Sequence, residues 1–420
     1  MVAENVELKL SIEDVINLSK LRREPDWMTD WRINAFYCLT FASAPKWSET
    51  QSSKLEVKIG VPNVECADLE SVKAQYRDID IIYNSTSVYL NITKELKSLG
   101  ISFAPLSKAI LLFPKLIRRY MGSVVFHNDN YYSALNASAF TDGTFVRVPK
   151  HVNCPINLST YFKITAKCAG QFERTLIILE PCAKATYFEG CNSSKMNKAV
   201  LHCAVVEIVI WNNGNLKYTT LQNWNSLRSR GILNFVTKRA LCRGAYSKVT
   251  WTQVEIGSSA TWKYPSTILL GFAAKSEFYS LSISNREQRV DTGTKCIHLG
   301  KESTSLVLAK SIIMNQSLNT FRVLIANCAK NCRSYVKCDS LLTGEKCVAK
   351  AVPVIIANEW PLTIEYESVN SYITEKQLEY CAQRMLDEMD AVKLIVSGYA
   401  HEIVCKLPLE AALEVAKLLF

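Results

Sequence analysis

The run AVVEIVIW at 204–211, the turn NNGN at 212–215 and the run LKYTTL at 216–221 set the class of this fold. Both runs are rich in Val, Ile, Thr and Tyr, side chains that suit a pleated, half-buried surface. Each is too short for a globular helix, and the Asn- and Gly-rich turn between them is strand punctuation. The same texture extends from about 123 to 360, with strand-like runs at 175–179, 248–255, 268–272 and 305–308 and a further turn signal at Thr141-Asp142-Gly143. No helix-length pattern separates these runs, which argues against a doubly wound α/β sheet. A sandwich, a barrel, a propeller or a β-helix would each satisfy the pattern, and no exact internal repeat chooses among them.

Outward from this centre the pattern turns helical. Residues 10–120 read as helices and loops, with apolar spacing of three and four at 14–20, 68–75 and 92–99 and interruptions at Pro45 and Pro62. Helical spacing returns at 373–388 and 409–419, where Pro408 marks a helix start. The expected organisation is an N-terminal helical region at 1–120, a β core at 121–370 and a C-terminal helical region at 371–420.

The chain has 420 residues, 48% of them hydrophobic, enough for at least one large core, and 21% charged residues exclude a disordered or fibrous chain. No apolar run approaches the roughly 20 residues of a membrane-spanning helix. The start MVAENVELKL lacks a secretory pattern and is too acidic for a transit peptide, so a soluble protein working inside the cell is expected. The formal charge of +10 is spread along the chain, with only short groups such as Leu21-Arg22-Arg23 and Ile117-Arg118-Arg119. An acidic protein partner is therefore favoured over nucleic acid. The 15 cysteines are odd in number and accompany no export signal, so they read as free thiols, mostly small core side chains.

Familiar catalytic signatures are absent. The chain has no G-x-x-x-x-G-K-[ST] loop and so is not expected to hydrolyse ATP, and it also lacks G-x-G-x-x-G, H-E-x-x-H and G-x-S-x-G. The five histidines, His127, His151, His202, His298 and His401, are dispersed and read as structural. The densest cysteine group, Cys328, Cys332, Cys338 and Cys347, matches neither zinc-ribbon nor ferredoxin spacing. Cys328, Cys332 and Cys347 read as core fillers. Cys338 stands apart because Lys337, Asp339 and Ser340 adjoin it, and a neighbouring lysine favours the thiolate. Glu365 and Glu367, two apart in a strand-like segment, share one face, where they either hold a metal ion or meet solvent.

Several stretches together resemble the SufB family of Fe–S cluster assembly scaffolds. They are Glu24-Pro25-Asp26-Trp27-Met28, Asp30-Trp31-Arg32, Pro45-Lys46-Trp47, Asp129-Asn130-Tyr131-Tyr132, Phe140-Thr141-Asp142-Gly143 and Leu158-Ser159-Thr160-Tyr161-Phe162. Further along come Gln171-Phe172-Glu173-Arg174-Thr175, the run NFVTKRALC at 234–242, Trp262-Lys263-Tyr264-Pro265, Asp291-Thr292-Gly293-Thr294-Lys295 and Cys338-Asp339-Ser340-Leu341-Leu342. The resemblance runs from about residue 20 to the C-terminus.

What the resemblance implies is a mainly β fold, a right-handed parallel β-helix flanked by helical regions, the C-terminal one docking the SufC ATPase. It implies a complex with SufC and with SufD or a second SufB. Sulfur would arrive as persulfide from a cysteine desulfurase through a SufE- or SufU-like carrier, and a nascent Fe–S cluster would form, with reduced flavin (FADH2) in the complex. By position, Cys338 matches the cluster-assembly cysteine and Cys191, in Phe188-Glu189-Gly190-Cys191, the sulfur acceptor. Gln222, Trp224 and Lys238 match the sulfur path, Lys163 stands where the family has arginine, and Cys338, Glu365 and Glu367 are the implied metal ligands. Tyr366 replaces the histidine of the family's Glu-His-Glu, Lys350 replaces another, and the N-terminal cysteine motif of some members is absent. The implied location is the bacterial cytoplasm or the plastid stroma. The alternatives are a SufD-like structural partner without a cluster, and a carbohydrate-active β-helix enzyme, which would need an acid cluster beyond Glu365 and Glu367.

Overall fold

The computed structural model describes residues 10–43, 79–83, 86–164, 170–193, 200–224, 231–344 and 346–419. The helix expected at 68–75, the interruptions at Pro45 and Pro62 and the stretch Pro45-Lys46-Trp47 lie outside them. The fold is mainly β, 48% strand, wound as a parallel β-solenoid of about 7 turns with helices toward both termini. The β-helix expected from the resemblance is thus the architecture observed.

Two long sheets form its walls. The first runs through Thr86–Asn91, Ile79–Tyr83, Leu158–Ile164, Lys184–Ser193, Asn215–Asn223, Lys248–Ile256, Lys275–Ser284, Thr304–Met314, Cys332–Thr343 and Leu362–Tyr372. The second runs from Ser102–Pro105 through Thr144–Val148, Gly170–Leu179, Val200–Ile210 and Ile232–Cys242 to the pair Ala260–Lys263 and Ser266–Leu269. It continues through Arg289–His298 and Leu318–Asn327 to Val348–Ala357. Successive turns pair in parallel, without helices between the strands. This explains why the sequence shows strand after strand and no crossover helix.

In the seven corners between Val148 and Cys332 where the second sheet passes to the first, one residue each is left-handed: His151, Cys182, Asn213, Tyr246, Ala273, Glu302 and Asn331. Their backbone N–H groups donate to carbonyls of the next turn, as Asn213 to Ala245 at 2.9 Å and Asn331 to Pro361 at 2.7 Å. The corner is thereby stitched lengthwise. A Cβ on Gly271 in the same corner would lie 1.8 Å from the Gly244 carbonyl oxygen, so the turns can stack this closely only with glycine there.

Helices cover the outer faces. On the second sheet, Asp26–Phe41 and Tyr131–Ala139 place Met28, Tyr132 and Leu135 over Phe172, Cys203 and Phe235. One buried carboxylate ties them down. Glu207 accepts from the backbone N–H groups of Gly122, Val124 and Val125 at 2.9, 3.0 and 3.1 Å, and pairs with Arg174 at 2.6 Å. On the first sheet, Glu388–Val404 and Leu409–Leu419 bury Val396, Ala400, Ile403 and Val415 against Leu221, Val254, Leu281 and Ile312.

The sequence reading needs three corrections. The N-terminal region is not only helix and loop, since Ile79–Tyr83 pairs with Thr86–Asn91 and, in parallel, with Leu158–Ile164 and so belongs to the first wall. Conversely, Tyr131–Ala139, capped by Asn130, is a helix inside the stretch read as strands. The helix read at 373–388 is broken: Glu375–Ala382 ends, Met385 turns left-handed, and Asp387 caps Glu388–Val404. The C-terminal apolar stripe packs along the flank of the β-helix. No helix among the described residues is long and apolar enough to cross a membrane.

The Glu207 clamp generates a stability prediction. Glu207→Ala leaves Arg174 buried without its partner carboxylate and strips three backbone donors of their acceptor. Urea unfolding should show a loss of about 3–5 kcal/mol, with the β-sheet circular dichroism signal retained. A loss within experimental error would remove the clamp from the account.

Candidate functional site

Strand alternation sends every second side chain of the first sheet into the solenoid, and parallel register lines these side chains up along its axis. One interior row runs Cys191, Gln222, Glu255, Ser282, Ser311, Ser340. The row beside it runs Glu189, Thr220, Gln253, Ser280, Ala309, Cys338. Cys191 and Cys338, brought forward by the resemblance, therefore stand in adjacent interior rows of one wall, five strands apart. At the usual spacing of strands that is roughly 24 Å along the axis. Between them the rows are polar and cross-linked: Gln253 Nε2 donates to Ser280 Oγ at 3.0 Å, Ser282 Oγ to Ser311 Oγ at 3.0 Å, and Asn319 Nδ2 to Ser282 Oγ at 2.7 Å.

The Cys191 end holds a dense set of buried charges. The Cys191 thiol is directed to Glu189 Oε1 at 3.9 Å and accepts from Gln222 Nε2 at 3.7 Å. Lys238 Nζ donates to the same Glu189 oxygen at 2.7 Å, and Tyr218 Oη donates to the other. Gln222 Oε1 accepts from Asn234 Nδ2 at 2.6 Å, which also reaches Glu255 Oε2 at 3.2 Å, and Glu255 pairs with Lys263. His202 bonds Asn234 at 2.8 Å, and its ring lies 4.9 Å from that of Trp224. Phe162, Ile82 and Trp224 close an apolar collar around the thiol.

Burial dominates the protonation of this set. It pushes the Cys191 thiol well above its ordinary range, and the carboxylates Glu189 and Glu173 add to the push against Lys238 and Lys263. Burial lowers Lys238 to about 8 although Glu189 opposes it, while Glu173 rises to about 7 despite His202. Glu189 is the exception: burial would raise it, but Lys238 and Lys263 outweigh burial and hold it low. The resting site is a neutral thiol beside an anchored carboxylate and an ammonium group able to release its proton near neutral pH. That arrangement can hold and release one proton in a space shielded from water.

Cys338 does not have the polar setting its sequence neighbours suggest. Lys337 and Asp339 alternate away from it, and Cys338 itself is 4% exposed within the main interior core. Burial, with help from Asp339, pushes its thiol up to about 12. The expected ligand set is also divided. Glu365 and Glu367 pair in register with Tyr335 and Lys337 and turn outward, where Lys337 Nζ lies 3.6 Å from Glu367. Tyr366, on the opposite face of that strand, packs against the interior core that holds Cys338. Among the described residues no group of three His, Cys, Asp or Glu side chains is poised to hold a metal ion.

Of the expected path residues, Gln222, Trp224 and Lys238 are brought together inside, next to Cys191. Lys163 is not. Its neighbour Phe162 takes the interior position in register with Cys191, so Lys163 faces outward in register with Asn192. Sequence reading missed Glu189, Tyr218, Asn234, Glu255 and Lys263, and it set His202 aside as structural. The available signal was a charged or amide side chain among the inward positions of a strand, as Asn234 and Lys238, two inward positions apart, in 232–242.

A family model described as "SUF system FeS cluster assembly, SufBD core domain" matches residues 162–399. The chain belongs to the SufBD family. A SufBD family protein of Synechocystis is 40% identical over 444 residues, covering 97% of this chain and 92% of the relative. The chloroplastic SufBD family protein of Arabidopsis thaliana is 39% identical over 445 residues, covering 98% and 79%. The Fe–S cluster assembly protein SufB of Plasmodium falciparum is 37% identical over 408 residues, covering 96% and 85%. The role of this SufBD chain is in Fe–S cluster assembly, and the family match covers both cysteines of the interior rows.

Burial of both thiols has a direct chemical readout. Under native conditions near pH 7.5, iodoacetamide should modify the exposed Cys328 and Cys405 while Cys191 and Cys338 react more than about tenfold slower. Mass-spectrometric mapping over time measures this, and urea should equalise the rates. Fast native labelling of Cys191 would contradict the closed interior.

Proposed function

We propose that this chain is the scaffold subunit of the Suf assembly complex, taking up persulfide sulfur at Cys191 and building the nascent Fe–S cluster at Cys338. The observation that carries the reading is the pair of polar interior rows joining the two thiols. In the uptake step the Cys191 thiolate attacks the outer sulfur of a carrier persulfide. A new S–S bond forms on Cys191, the carrier's S–S bond breaks, and the carrier leaves as thiolate. The proton that Cys191 gives up passes by way of Glu189 to Lys238, which accepts it in its unprotonated amine form. Incorporation as sulfide takes two electrons per sulfur, supplied by a reductant of the complex.

Iron ligands beyond Cys338 would come from a partner seated on the open end of the solenoid. The last strands, Val348–Ala357 and Leu362–Tyr372, expose Ile355, Ile356, Val369 and Tyr372 there, and an edge of this kind is suited to pairing with another chain. SufD or a second SufB is the proposed occupant, with Glu365 and Glu367 collecting iron at the rim. The C-terminal helices keep Leu394, Leu409 and Leu413 exposed on their outer side, a surface proposed for the SufC ATPase. The proposed location is the bacterial cytoplasm or the plastid stroma.

Anaerobic reconstitution of the complex with ferrous iron and a persulfide donor tests the reading. Charge-transfer absorption should appear, vanish in Cys338→Ser and survive in Cys332→Ser. In Cys191→Ser, uptake of radiolabelled sulfur should fall while iron binding persists. A cluster that survives Cys338→Ser would favour the SufD-like structural role instead.

A further inference from the structure

On the outer face of the second sheet, away from both thiols, lies a cavity of about 280 Å³. We propose that it is a binding site for a small organic anion with a flat apolar body. Its walls bring together four of the sequence stretches that the interior site leaves partly unused. Asp129-Asn130 bounds one side, Thr237 and Arg239 come from 234–242, Trp262 and Tyr264 from the next stretch, and Lys295 from 291–295. Leu324, Val352 and Val354 close the other side. Gly293, between Asp291 and Lys295 on the outer row, adds no side chain. None could be added, because a Cβ would lie 1.7 Å from the Arg322 carbonyl oxygen.

The ligand class follows from the charges. Arg239 is held by Asp129 at 2.5 Å and Arg322 by Asp291 at 3.1 Å. These carboxylates fix the two guanidinium groups in place and neutralise them. Lys295 is the third cation of the cavity, and among the described residues it makes no salt bridge. The site therefore carries one excess positive charge beside an apolar wall of Trp262, Leu324 and Val354. A single phosphate or carboxylate group would meet Lys295 and the donors of Arg239, while an aromatic or similarly flat body would cover the Trp262 side. The volume sits at the small end of ligand pockets, so the ligand is a small molecule rather than a peptide segment.

The proposal stands independently of the scaffold reading and is tested on the full chain with naphthyl phosphate as probe, by calorimetric titration. Saturable binding at one site is expected. Lys295→Glu and Val354→Glu should each weaken it about tenfold or more. Val369→Glu, at the same open end but on the other sheet, should leave it within about twofold. All three side chains are exposed, and unchanged thermal unfolding would show that the variants fold. Two results would each overturn the proposal: no saturable binding, or Lys295→Glu and Val354→Glu both within about twofold. Neutral naphthol binding as tightly as the phosphate would remove the anion from it.

Discussion

Each turn of the solenoid lies in strict parallel register on the turn before it, and everything else follows from that constraint. Backbone hydrogen bonds fix the register, and the left-handed corner residues renew it once per turn. Whether a side chain faces in or out then depends only on its parity along the strand. Its lateral row depends on how many residues each turn consumes. From Cys191 to Ser340 the row steps by 31, 33, 27, 29 and 29 residues, so Cys191 and Cys338 reach adjacent rows only because every intervening corner adjusts its length.

Within that frame the interior charges near Cys191 are costly. Buried ion pairs such as Glu189–Lys238 and Glu255–Lys263 add little net stability over apolar side chains of similar size. Toward the opposite end of the solenoid the interior is filled by Ala309, Val336 and Tyr366. The polar cluster is thus confined to a few turns, where it surrounds one thiol and keeps an ammonium group close to its titration point. Chemistry accounts for its retention better than folding does.

The outer faces divide the remaining tasks. Helices near both ends of the chain seal one flank each, which leaves the groove around Lys295 and the final strands as uncovered surface. Parallel strands are stable when both faces and both edges are covered. Here the last turn has neither complete, and it exposes Ile355, Ile356 and Trp360 to solvent.

The sequence by itself determined the strand-rich core, the absence of crossover helices and, through its resemblance, the family. These are local or pattern properties: side-chain type, alternation and turn residues survive without knowledge of what packs on what. It misjudged Cys338, because Lys337 and Asp339 are neighbours in the chain but face away across a strand. It also missed Ile79–Tyr83 as a strand: its hairpin partner Thr86–Asn91 is local, but the pairing that joins it to the wall lies some 80 residues on, at Leu158–Ile164. Only the tertiary structure set Lys238 beside Glu189 and Cys191, put Lys163 outside, and parted Glu365 and Glu367 from Cys338. The physical reason is that such contacts are made between turns, and the register between turns is set by how many residues each turn consumes, about thirty, not by any local motif.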